Sequence, residues 1–162
     1  AEYMFAPIYI CIMHHDHPLA KADLSLQEFA DADHLLVSLS GDVTGYTDQV
    51  LLQHGLSRRV ATTVNHFSSA ANLVKRSNLI CVIPISAVAK EIISGEISAT
   101  KPPIEIMPQQ ISAIWHKRQD SDQGLVWLRD QLKRIISRNV KLETAQVMDS
   151  LCKSNPELCA GE

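Results

Sequence analysis

Between His34 and Pro84 the spacing of apolar positions changes period several times, and each change marks an element boundary. Leu35, Leu36 and Val37 form a short apolar run, and the polar turn Ser40, Gly41 and Asp42 interrupts it; strand, turn and helix is the plainest parse. The helix spans about Thr47 to His54, with Gly55 where a C-terminal cap belongs. Arg58 to Val64 alternates and branches like a second strand. A second helix follows over Ser68 to Arg76, with Ser68 or Ser69 able to accept from its free first-turn amides, and Asn78 closes it. The apolar run Leu79 to Ile83 is a third strand, which Pro84 terminates. Strands this uniformly apolar are buried on both faces, so the βαβαβ rhythm predicts a mostly parallel sheet covered by helices.

Downstream, Ser86 to Ile93 reads as a helix stopped by Ser94 and Gly95, followed by a polar connection through Lys101, Pro102 and Pro103. A strand is expected at Ile104 to Met107, before Pro108. Ile111 to His116 alternates loosely and is expected to pair with Ile8 to Met13 as a two-stranded hinge. Leu125, Leu128, Leu132 and Ile135 recur at intervals of three and four, widened by Val126, Trp127 and Ile136, so Ser121 to Arg138 is an amphipathic helix in need of a partner surface. A further helix over Leu142 to Cys152 is expected to fold back on it.

Three motifs in this order are similar to one family. IYICIMHHDHPLAKADLSLQEFADADHLLVS, residues 8–38, places a strand, a His-Pro-Leu turn, a helix opening at Leu-Ser-Leu and the next strand in succession. The βαβαβ stretch follows, and ISAIWHKRQDSDQGLVWLRDQL, residues 111–132, supplies a return strand ending in Trp-His, a polar turn and a helix carrying Trp-Leu. Over Ile8 to Ile136 the chain resembles the effector-binding domain of LysR-type transcriptional regulators. The resemblance implies an α/β, periplasmic-binding-protein-like fold of type 2, two-lobed, with a mixed and mostly parallel sheet flanked by helices. It implies residues 1–14 as a crossover strand from the first lobe, 15–110 as the second lobe, 111–140 as the return crossover with a first-lobe helix, and 141–162 as a C-terminal helix and tail. The family's winged helix-turn-helix, linker helix and opening first-lobe elements have no counterpart after Ala1, so DNA is expected to be reached only through a domain outside this chain.

In open parallel sheets ligands sit beyond the carboxyl ends of the strands, where helix N-termini offer amides to anions. Those ends here are Ser38 to Gly41, Asn65 to Ser69 and Ile83 to Ser86. Leu39, Ser40 and Gly41 are the first candidate effector contacts, through a hydroxyl and backbone amides suited to a carboxylate or another polar group. Asn65, His66 and Phe67 are the second, with Phe67 stacking on an aromatic or apolar ligand body and Asn65 and His66 hydrogen bonding to it. Ile83 and Pro84 would close the floor. Each has an ordinary alternative: Phe67 as core packing, His66 as a structural histidine, and Ser40 as a helix cap.

With 162 residues, 46% hydrophobic and 20% charged, the chain can bury a core. A net charge of −3 argues against direct DNA binding, and Lys133, Arg134, Arg138 and Lys141 read as a solvated helix face. No stretch approaches the about 20 apolar residues of a membrane span and no signal peptide is visible, so a cytoplasmic setting without membrane contact is expected. Cys11 and Cys81 fall inside apolar strands, while Cys152 and Cys159 would pair only in an oxidising compartment. His14, His15, Asp16 and His17 hold donor types that metals use, but neighbours along a strand point in different directions, so a polar crossover is expected and no metal. There is no nucleophile elbow, no Gly-rich dinucleotide loop and no phosphate-binding loop; Ser40, Asp42 and His66 do not have triad spacing, so neither catalysis nor a cofactor is expected. The expected partners are a small-molecule effector, a carboxylate or an aromatic, and further copies of the chain. In the intact protein DNA and RNA polymerase would join them. A solute-binding module of the same fold, or a dimerisation fragment without ligand, are the alternatives.

Overall fold

The computed structural model describes residues 1–20, 23–107 and 109–154. In chain order the elements are β1 (Glu2–Phe5), β2 (Tyr9–His14), α1 (Leu26–Asp31), β3 (Asp33–Val37), α2 (Tyr46–Gln53), β4 (Arg59–Val64), α3 (Phe67–Val74), β5 (Cys81–Pro84), α4 (Ala89–Ile93), β6 (Ile97–Thr100), β7 (Ile111–Ala113) and α5 (Gln123–Ser154).

β3 and β4 pair in parallel, and a parallel bridge from His34 to Ile80 ties β3 to the chain entering β5. The βαβαβ run is therefore parallel, as its apolar strands predict. Antiparallel pairing enters through β2, which lies between β5 and β6, with Tyr9 opposite Pro84 and His14 opposite Ile97. β2 shows why its sequence is continuously apolar. Ile10 and Ile12 face a core with α3, α4 and the end of α5, whereas Cys11 and Met13 face a second core with α1 and α2. Alternate side chains point to opposite faces, and both faces are covered.

Local chemistry sets the helix ends. Ser25 caps α1 in a capping box with Glu28. At the end of α2, Gly55 takes φ +70°, its N–H donates to the Leu52 carbonyl at 3.0 Å, and the Leu56 N–H donates to the Leu51 carbonyl at 2.9 Å, the paired bonds of a Schellman stop. Gly95 closes α4 with φ +76°. α3 begins at Phe67 with His66 as its N-cap and no side-chain cap, so neither Ser68 nor Ser69 caps it; both lie inside the first turn.

Four expectations change. Ile111–Ala113 pairs with β1, Glu2 opposite Ala113, and not with Ile8 to Met13. Both edges of β2 are already taken by β5 and β6, which leaves it no free ladder for β7. Ile97–Thr100, expected as polar connection, is a strand: Ile97 and Thr100 are buried, and the partly exposed Ser98 is tolerated on this edge strand. Ile104 to Met107 forms no strand; Ile104 is anchored in the α1 and α2 core by side-chain packing after Pro102 and Pro103, neither of which can donate to a ladder. The two expected C-terminal helices are one, α5, because no glycine or proline interrupts the chain from Leu125 to Ser154. Its far end buries Val147 and Leu151 in the core. Its near half leaves Trp127 63% exposed, with Val126, Leu128, Leu132 and Ile135 also on the surface, as the unpartnered stripe predicts. Glu2 of β1 pairs with Lys133 of α5, tying the strand pair to the helix. Cys11 and Cys81 are buried and free; Cys152 is disulfide-bonded, which the expectation of a cytoplasmic setting does not predict, and Cys159 lies outside the described residues.

Candidate functional site

The register of β3 on β4 puts Val37 opposite Val64, and the Ser38 N–H donates to the Val64 carbonyl at 2.8 Å. The two turns that leave these strands, Leu39 to Gly41 and Asn65 to Phe67, therefore start side by side at one edge of the sheet. Leu39 is 82% exposed, Phe67 is 39% exposed, and Ser40, Gly41, Asn65 and His66 are all on the surface. Phe67 is thus not core packing. Gly41 has φ +84° with open space where a Cβ would stand, a conformation that favours glycine and turns the chain outward. Ile83 is 0% exposed and Pro84 is buried, paired to Tyr9, so this pair lies beneath the rim within the core and offers no open surface in this conformation.

Two details depart from expectation. Ser40 does not cap α2, whose N-cap is Gly45; instead the Ser40 hydroxyl donates to the Asp42 carboxylate. The uncapped first turn of α3, directly after His66, is where free amides and the positive end of a helix dipole meet the rim.

Sequence reasoning missed what holds the rim. The Arg58 side chain, 1% exposed, makes two bonds to Asp48, at 2.9 and 2.8 Å, and Asp48 also accepts from the Gly45 N–H at 2.6 Å. Arg58 donates to His34 Nδ1 at 3.1 Å, which leaves His34 Nε2–H to donate to the Phe29 carbonyl at 2.7 Å. The tautomer is thereby fixed. Burial pulls the His34 pKa down from 6.5 to about 4, with the adjacent Arg58 charge acting in the same direction. Burial pushes the Asp48 carboxyl up, but the hydrogen bonds and charge of Arg58 and the Gly45 amide outweigh it and hold the group below its ordinary value. An arginine just before a strand and a histidine in an apolar run were the available signals; neither reveals its partner.

At the other end of β2, His14, His15 and Asp16 each bring a donor atom to within 4.8 Å of the other two.

Residues 2–136 match the family of the LysR substrate binding domain. The chain belongs to that family. Among LysR relatives, it is 26% identical over 134 residues to the HTH-type transcriptional activator NagR of a Ralstonia species, covering 83% of this chain and 44% of NagR. It is 26% identical over 121 residues to the activator NahR of Pseudomonas putida, covering 75% of this chain and 40% of NahR. The LysR domain thus spans less than half the length of these relatives. It also superposes on the regulatory domain of MexT, a transcriptional activator in Pseudomonas aeruginosa, with a TM-score of 0.70 and 26% identity over 82% of this chain and 64% of that one. Those relatives are transcriptional regulators, and the periplasmic-binding-protein-like α/β fold is shared. No helix among the described residues of the LysR domain is long and apolar enough to cross a membrane.

Proposed function

We propose that this chain is the effector-sensing part of a cytoplasmic LysR-type regulator, working without catalysis and reaching DNA and RNA polymerase through the rest of the intact protein. Residues 15–110, with β2 added, form its second lobe; β1 and β7 are the crossover pair, and 141–162 are the C-terminal helix and tail. The carrying observation is the rim itself: two polar, exposed turns start level on paired strands, one leading into a helix N-terminus without a side-chain cap and carrying an exposed phenyl ring. That combination suits a carboxylate with an apolar or aromatic body. Leu39, Ser40 and Gly41 contact it from β3, Asn65, His66 and Phe67 from β4, and Ile83 and Pro84 support the floor. Ser40 exchanges the Asp42 carboxylate for the ligand. The exposed near half of α5 favours a homo-oligomer, because an apolar helical face of this kind gains by leaving water.

Calorimetric titration with benzoate, phenylacetate and succinate tests the rim. An aromatic acid is expected to bind more tightly than succinate, with Phe67→Ala removing the preference and Asn65→Ala weakening every acid. Binding that ignores both substitutions, or no binding by any acid, overturns the rim assignment and favours the dimerisation reading. In a longer form carrying the DNA-binding domain, a binding acid that leaves DNA affinity unchanged would identify a solute-binding module instead.

A further inference from the structure

We propose that His14, His15 and Asp16 form a binding site for a borderline divalent cation of the zinc, nickel or copper kind, remote from the effector rim. Adjacent residues on a strand would point apart, but the strand ends here. The His17 N–H donates to the His14 carbonyl at 2.9 Å, so the chain turns back at once and gathers the three side chains round the bend. One donor atom from each lies within 4.8 Å of the others, the His14 and His15 rings are 4.1 Å apart between centroids, and His15 Nε2 sits 3.1 Å from an Asp16 carboxylate oxygen. A tetrahedral ion with ligands at about 2.0–2.1 Å holds its donors about 3.3 Å apart. Closing that difference needs only rotation of His15 and Asp16, whose side chains are exposed. His14 Nδ1 accepts the Asp16 N–H at 3.1 Å, a contact that holds the turn and that the ring keeps when it ligates through Nε2.

His17 is not a fourth donor. Its Nδ1 accepts the Leu19 N–H at 3.0 Å and its Nε2 lies 3.2 Å from the Asn78 carbonyl, so both nitrogens are committed to holding the turn. Two imidazoles and one carboxylate on a solvent-facing corner leave the remaining positions to water. Imidazole donors select zinc, nickel or copper over magnesium or calcium.

The position separates this site from the rim. β2 runs antiparallel to β5, with Tyr9 opposite Pro84 and Ile12 opposite Cys81, so His14 lies at the end of the sheet away from Pro84 and the turns after β3 and β4. A cation here bridges the first turn after β2 without touching the effector residues.

Equilibrium dialysis of the tag-free protein against zinc, nickel and magnesium chloride tests the proposal. One zinc or nickel ion per chain is expected to bind, and magnesium is not. His15→Ala and Asp16→Asn, both at exposed positions, are expected to weaken zinc by tenfold or more, at least the roughly tenfold that loss of an outer-shell partner costs. His116→Ala and Phe67→Ala are expected to leave it unchanged. Absence of zinc binding at millimolar concentration, equal binding of magnesium, or zinc affinity indifferent to His15→Ala and Asp16→Asn would each overturn the site. Because Phe67→Ala belongs to the effector rim, a failure here and a failure there are separate results.

Discussion

Lowering the pH from 8 to 5 should destabilise this domain through one residue, His34. Its ring is fully buried, donates to the Phe29 carbonyl and accepts from Arg58, so a second proton would have to displace the guanidinium contact beside an existing positive charge. The folded-state pKa is depressed to about 4 from 6.5. Between those values the unfolded chain binds a proton that the native chain refuses, and stability therefore rises with pH and is lost as pH falls from 6.5 toward 4. Integrating the two titrations gives a loss of about 2 kcal/mol between pH 8 and pH 5. With a urea slope of about 2 kcal/mol/M, the midpoint should move down by about 1 M. The Asp48 carboxyl, held below its ordinary 3.8, adds its own loss only at lower pH, so the two windows separate. Urea melts followed by circular dichroism at pH 8, 6.5 and 5, in the native chain and in His34→Gln, check this. The glutamine amide can still donate to the Phe29 carbonyl but cannot titrate, so the variant should be less stable at pH 8 and flatter below it. An identical pH slope in the variant, or an NMR titration in which the His34 ring protonates near pH 6.5, would refute the reasoning.

The same network makes Asp48→Ala a severe substitution: it strands the buried Arg58 charge, and a loss of about 3–5 kcal/mol in urea melts is expected, against under about 1 kcal/mol for Arg59→Ala, whose pair with Asp33 is exposed. Gly55→Ala should lower stability by about 1 kcal/mol, since the position demands φ +70° although a Cβ would meet no neighbour; an unchanged midpoint would show that the Schellman stop relaxes freely. On α5, Leu151→Ala should lose about 2–5 kcal/mol, while Leu132→Ala in the dilute monomer stays within about 0.5 kcal/mol; equal losses would mean that the near half of the helix is covered in solution.

The βαβαβ run was legible because β3 and β5 leave continuous apolar words in the sequence and α2 ends at a glycine that must turn left-handed, Gly55; β4, with Arg59 and Ala61 exposed, shows itself by its branched alternation instead. What stayed hidden depends on competition between distant segments. Whether Ile111–Ala113 pairs with β1 or β2 is decided by which strand has a free edge, and that is settled only when β5 and β6 have docked. Ser98 and Thr100 disguise β6, since an edge strand needs only its inward positions to be apolar or satisfied. α5 was divided where the recognisable motifs stop, not where any helix breaker occurs. For the candidate site, the turns after β3 and β4 were visible from strand ends alone, but Asp48, Arg58 and His34 were not: an ion pair ten residues apart and a histidine 24 residues from the same arginine carry no local pattern.

The network explains how a rim so exposed can hold a defined shape. The loop between β3 and α2 is fixed at its start by the Ser38 N–H on Val64 and at its end by the Gly45 N–H on Asp48. Asp48 is held by Arg58, Arg58 contacts His34, and His34 is held by Phe29, so the far end of the loop is referred back through buried groups to α1 and to the strands beneath it. Only the residues between those two clamps are left to solvent. Pinning both ends leaves a short free span, with few residues whose backbone freedom is still to be lost. The stability of the loop therefore rests on its clamp, where the buried Arg58 is paired with the partly buried Asp48, and not on the exposed Leu39, Ser40 and Gly41.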